Sequence, residues 1–188
     1  MPNFLNSVTL LSDNAEAARA PWTRLGFALS PGGVIAFENA TLTLRDAAEP
    51  GPAFGLLSLA MTERPNAPVA PARHPNGVRA LAALAKALEN PADHAEALGR
   101  AANQREMRAT SAGLELKLAN ARLEALTPAA FGQLYGETAE ALVFAADLDA
   151  ARAFFTANAI AFEERFGRFV IAGPNLTLAF EAQEPSHV

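Results

Sequence analysis

The chain contains no cysteine, and only one tryptophan, one tyrosine and three histidines among its 188 residues. Without thiols there is no disulfide, no iron–sulfur cluster and no thiolate zinc site, and the composition suits a reducing, cytoplasmic setting. Three histidines leave little for an imidazole metal centre, and no spacing matches the two-histidine helix pattern of zinc hydrolases. A serine placed against a histidine and an acid, a G-x-S-x-G elbow and a G-x-G-x-x-G phosphate loop are all missing. Basic residues are outnumbered: fifteen Lys and Arg against twenty Asp and Glu give a formal charge of −5. That balance argues against a nucleic-acid binder, which needs a basic face. No apolar run approaches the roughly 18 residues that cross a bilayer, and the opening MPNFLNSVTLL lacks the features of a signal peptide. A soluble cytoplasmic protein with neither nucleic-acid nor membrane partners is expected.

What is present in quantity is alanine, 44 residues of it, and beneath the alanine lies a repeat. Glu16–Leu29 (EAARAPWTRLGFAL) and Asp149–Phe162 (DAARAFFTANAIAF) share Ala17, Ala18, Arg19, Ala20, Thr23 and Ala28. Each is preceded by an apolar run ending at an N-cap residue, Asn14 or Asp147. Each is followed by a strand-like segment, in which Leu42-Thr43-Leu44 returns as Leu176-Thr177-Leu178. Both copies read as a strand, a helix and three strands. The helices show stripes at Ala15, Ala18, Trp22 and Leu25 and at Leu148, Ala151 and Phe155, with Pro21 set to kink the first. Alternation puts Leu176, Leu178 and Phe180 on one face of the last strand, and Thr177, Ala179 and Glu181 on the other. Turn residues punctuate Ser30–Gly33, Asn39-Ala40 and Gly173–Asn175.

A diverged third copy fits between these two. Val78–Leu88 is its first strand, Pro91–Gln104 its helix, and RATSAG, LELKLAN and ARLEALT its later strands. Helix propensity opposes this reading, and a single Pro-interrupted helix over Val78–Leu98 is the alternative. Phe54–Met61 forms an extra strand. The expected organisation is a first module with its extra strand at 1–62, a linker at 63–77, and paired second and third modules at 78–188, joined by the short connection Thr127–Thr138.

A tandem βαβββ unit whose helix opens D-L-x-A-A-R-A-F-F (Asp147–Phe155) resembles the vicinal oxygen chelate superfamily of glyoxalases, bleomycin-resistance proteins and extradiol dioxygenases. Asn14–Phe27, running into Leu25-Gly26-Phe27, and His74-Pro75-Asn76-Gly77 resemble its glyoxalase-like branch. The resemblance implies an α+β fold of tandem βαβββ modules with curved mixed sheets around a cavity. It also implies metal ligands on the first and last strands of each module. Aligned on the helix caps, the first-strand positions are Ser7, Ala83 and Glu140, and the last-strand positions are Thr43, Glu124 and Thr177. None is histidine, so no metal and no cofactor are expected.

The reading favoured at this point is a metal-independent binder of a small apolar or aromatic organic molecule. Its cavity would be walled by Leu126, Leu142 and Phe144, with Glu124, Glu140 and Thr177 as polar contacts. Catalytic candidates are Glu124 and Glu140, as a carboxylate pair in one cavity, and His74. Arg45 and Glu181 are rim candidates, and His94 and His187 read as ordinary surface residues. The alternatives are a metal-dependent lyase or isomerase of the glyoxalase type, and a structural or partner-binding module without a working pocket. Because the first module would expose a curved apolar sheet, a homodimer through that module is expected.

Overall fold

The computed structural model describes residues 3–46, 53–54, 57–62, 70–173 and 176–182. The chain is mixed α+β, with two mixed sheets among the described residues. The first contains β1 (Phe4–Ser12), β2 (Val34–Ala36), β3 (Thr41–Asp46), β4 (Ala53–Phe54) and β5 (Leu57–Thr62), in the order β2-β3-β1-β5-β4. The second takes β6 (Val78–Ala87), β7 (Arg108–Thr110), β8 (Gly113–Lys117), β9 (Arg122–Leu126), β10 (Glu140–Ala146), β11 (Glu163–Arg165), β12 (Arg168–Ala172) and β13 (Thr177–Ala182). Its order is β11-β12-β13-β10-β6-β9-β8-β7, so β6 and β10 meet antiparallel at the centre. Helices α1 (Ala15–Arg24), α2 (Ala95–Ala102), α3 (Pro128–Tyr135) and α4 (Leu148–Ala157) connect them, α2 following a 3-10 turn at Pro91–His94.

The helix starts are set by the expected caps. Asn14 accepts from the Ala17 N–H, and Asp147 from those of Asp149 and Ala150. Val78–Ala87 is a strand despite its helix-forming composition, because it lies between two long partners and both of its faces are buried. Leu81 and Leu84 enter the main core, while Ala83 and Ala85 are fully buried on the opposite face. Tertiary burial overrides local propensity here.

The two faces of the large sheet differ in cover. One carries Leu84, Leu123, Leu142, Phe144, Leu178 and Phe180, and shares a continuous core with α2, α4 and the first sheet. At its centre Phe144 meets Trp22 (6.5 Å), Phe27 (5.0 Å), Phe37 (5.5 Å) and Phe180 (5.7 Å). The other face is paved with Ala83, Ala85, Ala141, Val143 and Ala179, on which Phe131 and Tyr135 of α3 rest. Alanine is what allows this: side chains ending at Cβ let a helix approach a sheet that larger residues would hold away.

The two sheets are joined by a reciprocal clasp. Asn39, in the β2–β3 turn, accepts from Leu81 N–H (3.0 Å) and donates to Leu81 O (2.8 Å) and Asn120 O (2.8 Å). Asn120, in the β8–β9 turn, accepts from Leu5 N–H (2.8 Å) and donates to Leu5 O (2.9 Å) and Asn39 O (2.8 Å). Each asparagine thus acts as an extra strand residue for the other sheet.

Two expectations need correction. Among the described residues two strands, not three, stand between α1 and the extra pair β4–β5. Phe27 instead serves as a core wedge, and the Ala28 N–H bonds the ring of His74. The short connection Thr127–Thr138 contains α3. The outer face of the first sheet is not a curved apolar patch. Its rows Ser7–Thr41, Thr9–Thr43 and Leu11–Arg45 are mostly hydroxyl-bearing, while Val8, Leu10, Leu42 and Leu44 point into the common core. The basis for a dimer through that face is therefore missing among the described residues. Residues 1–2, 47–52, 55–56, 63–69, 174–175 and 183–188 lie outside the described residues, and with them fall Gly55 and Leu56 of the expected extra strand, part of the linker, Pro174 and Asn175 of one turn, and His187.

Candidate functional site

Strand register decides which side chains can share a site, because partners across a ladder lie on one face. Ala85 is the partner of both Glu124 and Ala141, which puts these three on the α3 side. Lys86 is the partner of both Ala125 and Glu140, and Ala125 belongs to the main core on the other side. Glu124 and Glu140 therefore face opposite sides of the sheet. The expected carboxylate pair does not form, and Glu140 lies instead 3.5 Å from Lys86 Nζ.

The expected cavity wall is divided in the same way. Leu126 and Thr177 lie on the α3 face, whereas Leu142 and Phe144 are fully buried in the main core and are closed to any ligand. Thr177 donates to the Tyr135 carbonyl (3.0 Å) and meets Thr138 Oγ1 (2.7 Å), so it fixes the end of α3. Arg165 Nη1 donates to Gly132 O (2.8 Å) and holds the same turn from β11.

The residues do not fit the metal that the resemblance implies. On the α3 face, β6, β10, β9 and β13 present Ala83, Ala85, Ala141, Val143, Glu124, Thr177, Ala179 and Glu181. Of the two carboxylates in this set, Glu181 is held by Arg122 and Arg168, and both oxygens of Glu124 are engaged. Tyr135 OH donates to Oε2 (2.7 Å) and Arg122 Nε to Oε1 (3.2 Å). Among the described residues no group of three or more His, Cys, Asp or Glu side chains is placed to hold an ion.

His74 is likewise committed to the fold. Its Nδ1 accepts from the Ala28 N–H (3.1 Å), which leaves Nε2 protonated and 3.1 Å from Ala36 O. Phe27 and Phe37 flank the ring at 5.9 and 5.3 Å. Burial lowers its pKa below 6.5, partly opposed by the bond to Ala36, so the imidazole is neutral. Two residues on, Asn76 is fully buried and donates to Leu25 O (2.9 Å). Gly77 has φ +74°, and a Cβ there would stand 2.9 Å from Asp147 O. The His-Pro-Asn-Gly segment is thus a brace between α1, β2 and the start of α4.

One of the open spaces is a groove of about 980 Å³ on the α3 side of the large sheet. It runs over the large sheet from Glu115 and Lys117 to the β11–β12 hairpin, past Ala80, Ala82 and Ala145. Its charged centre is Glu181, which accepts from Arg122 Nη2 at 2.9 and 3.2 Å and from Arg168 Nε at 3.0 Å. Arg168 Nη2 adds a contact at 2.9 Å. Burial alone would lower the Arg122 pKa, but Glu181 and Glu124 outweigh it and raise it, so the guanidinium is held charged. Burial first, and then the charge of Glu124, push the Tyr135 hydroxyl well above its ordinary range. The rim of the groove carries Phe166, which is 75% exposed.

Phe166 and Gly167 form the two-residue turn of a hairpin closed by Arg165 and Arg168, with φ of 49° and 76°. Such primed turns favour Asn-Gly, and a bulky side chain in the left-handed region costs about 1–2 kcal/mol.

No protein-family model matches the chain, and no curated protein does. Among solved structures, the cppA protein from Streptococcus pneumoniae TIGR4 aligns over 97% of this chain and 98% of its own, at 11% identity and a TM-score of 0.21. That score carries no argument about fold or activity.

Of the residues expected to form the site, Glu124 borders the groove and the rim candidate Glu181 lies at its centre. Arg122, Arg168, Tyr135 and Phe166 were not foreseen. A sequence signal existed for Tyr135. Thr127-Pro128 is a cap followed by proline at the first helical position, and Phe131, Leu134 and Tyr135 follow at helical spacing. Arg122 also shares strand parity with Glu124.

Proposed function

We propose that this chain is built of βαβββ modules of the vicinal oxygen chelate type, and that it binds a small organic molecule, without a metal, in the groove beside α3. Support for the modules comes from three parallel pairings, β1 with β3, β6 with β9 and β10 with β13. Each last strand follows a like turn, closed by Phe37 N to Ala40 O, Leu118 N to Ala121 O, and Gly173 N to Leu176 O, each at 2.9 Å. The observation that carries the binding reading is the groove itself. Its volume lies in the range of small-molecule sites, its floor is an ordered Arg122–Glu181–Arg168 cluster, and its rim holds an exposed aromatic side chain.

Thermal unfolding of EDTA-treated protein against a panel of small organic molecules tests this. Stabilisation by a subset of the panel, unchanged when divalent cations are restored, is expected. Stabilisation only with an added cation, lost in Glu124→Gln, would replace this reading with the metal-dependent one. The seating of α3 on the centre of the large sheet favours a second reading, a structural module with its pocket closed. Indifference to the whole panel would establish that one instead.

A further inference from the structure

We infer that the groove takes a planar aromatic carboxylate, with its acid group on Arg122 and Arg168 and its ring against Phe166. This inference rests on the small-molecule reading above and narrows it to a ligand class. It is carried by the hydrogen-bonding capacity left on the floor. Arg122 gives Nε to Glu124 and Nη2 to Glu181, and Arg168 gives Nε and Nη2 to Glu181. A guanidinium has five N–H donors, so each arginine retains an Nη1 arm without a protein acceptor among the described residues. The carboxylates are in the opposite condition. Both oxygens of Glu124 and both of Glu181 already accept charge-assisted or hydroxyl hydrogen bonds.

The formal charges lining the groove balance, Lys117, Arg122 and Arg168 against Glu115, Glu124 and Glu181. What is in surplus is donor capacity, concentrated on two guanidinium groups that reach the same oxygen, Glu181 Oε2. A carboxylate suits such a pair, because planar forks bind it through parallel charge-assisted bonds. Both side chains are partly open, at 27% and 20% exposure, so the free arms are accessible.

Phe166 supplies the aromatic half of the inference. It stands in a backbone region that disfavours it, and its ring is mostly in solvent, so neither local conformation nor core packing accounts for a phenylalanine there. Placed one turn residue from Arg168 and on the groove rim, the ring is positioned to cover a flat ligand whose acid group reaches the floor.

Isothermal titration with benzoate, cyclohexanecarboxylate and benzamide separates these features, alongside Phe166→Gly and Arg168→Gln. Benzoate is expected to bind about fivefold more tightly than cyclohexanecarboxylate, and Phe166→Gly to erase that preference. The Phe166→Gly variant should be no less stable than the parent, because glycine suits the turn. Benzamide, and benzoate with Arg168→Gln, should bind about tenfold more weakly than benzoate with the parent. Equal affinity for benzoate and cyclohexanecarboxylate would overturn the role of the ring, and equal affinity for benzamide that of the acid. No binding of any of the three, while other molecules of a broad panel still stabilise the protein, would overturn this inference and leave the small-molecule reading standing. Failure of the broad panel as well would overturn both.

Discussion

Tyr135 donates its hydroxyl to Glu124 at 2.7 Å, and through that bond α3 is fastened to β9 of the sheet on which it rests. The same bond explains why the open space lies to one side of α3 and not at the centre of the sheet. Phe131 and Tyr135 occupy the ground above Ala83, Ala85, Ala141 and Ala179, while the part of the face from Glu115 and Lys117 past Ala80 and Ala145 to Glu181 stays open.

Because Tyr135 is the one tyrosine in the chain, its ionisation can be followed by ultraviolet absorbance. An unfolded tyrosine is half ionised near pH 10.0, whereas burial and Glu124 raise the native value above that. Native protein at pH 10–11 should therefore show almost no tyrosinate, with the signal appearing in one step on unfolding. The stabilisation is complete below pH 10 and is lost as the pH rises above it. Tyr135→Phe should lower stability by about 1–3 kcal/mol at neutral pH, because it leaves a buried carboxylate oxygen unmatched.

His74 gives the opposite dependence. Its native pKa is lowered from 6.5, so the folded state binds the proton less readily than the unfolded chain. Its contribution is present above pH 6.5 and declines as the pH falls towards the native value. Denaturant midpoints at pH 7.5 and pH 5 should differ in that direction, and His74→Gln should flatten the difference. Nitrogen NMR should find Nε2 protonated and Nδ1 bare.

The Asn39–Asn120 clasp predicts strong coupling. Either asparagine replaced by alanine removes three hydrogen bonds at a junction between sheets, at a cost of about 1–3 kcal/mol. In a double-mutant cycle the two should couple by roughly 0.5–3 kcal/mol, whereas independent effects would show that the reciprocal bonds contribute little.

Beneath α3, Ala141→Leu should destabilise by about 1–3 kcal/mol through overpacking, although the same change on an exposed strand would be neutral or favourable. A stabilised variant would mean that α3 is not seated tightly on this face.

How far the sequence could be read depended on the size of each slip. Pairing Leu42-Thr43-Leu44 with Leu176-Thr177-Leu178 misplaces the last strand by two residues, since the shared turn and the ladders align Leu42 with Leu178. A slip of two keeps every side chain on its face, which is why the parity of Thr177 and Glu181 was legible. The first strand slips by one. Val8 and Leu142 are equivalent, but Asn14 follows six residues after Val8, and Asp147 only five after Leu142. Counting back from the caps therefore lands on Glu140 instead of Ala141, and an error of one turns the side chain to the other face. The strand Val78–Ala87 and the helix after it were legible through their turns and the proline, against the strand's propensity. The helix α3 was hidden by its brevity, and the arginine cluster by its joining of β9 to the β12–β13 pair, some way off in sequence.

The most direct test is to map, by NMR chemical-shift changes, where a small organic molecule that stabilises the protein binds. The account predicts perturbations grouped at Arg122, Phe166, Arg168 and Glu181, with Phe131 and the alanines beneath α3 unaffected. Perturbations centred on Phe131, Ala83 and Ala141, showing that α3 yields to the ligand, would contradict it.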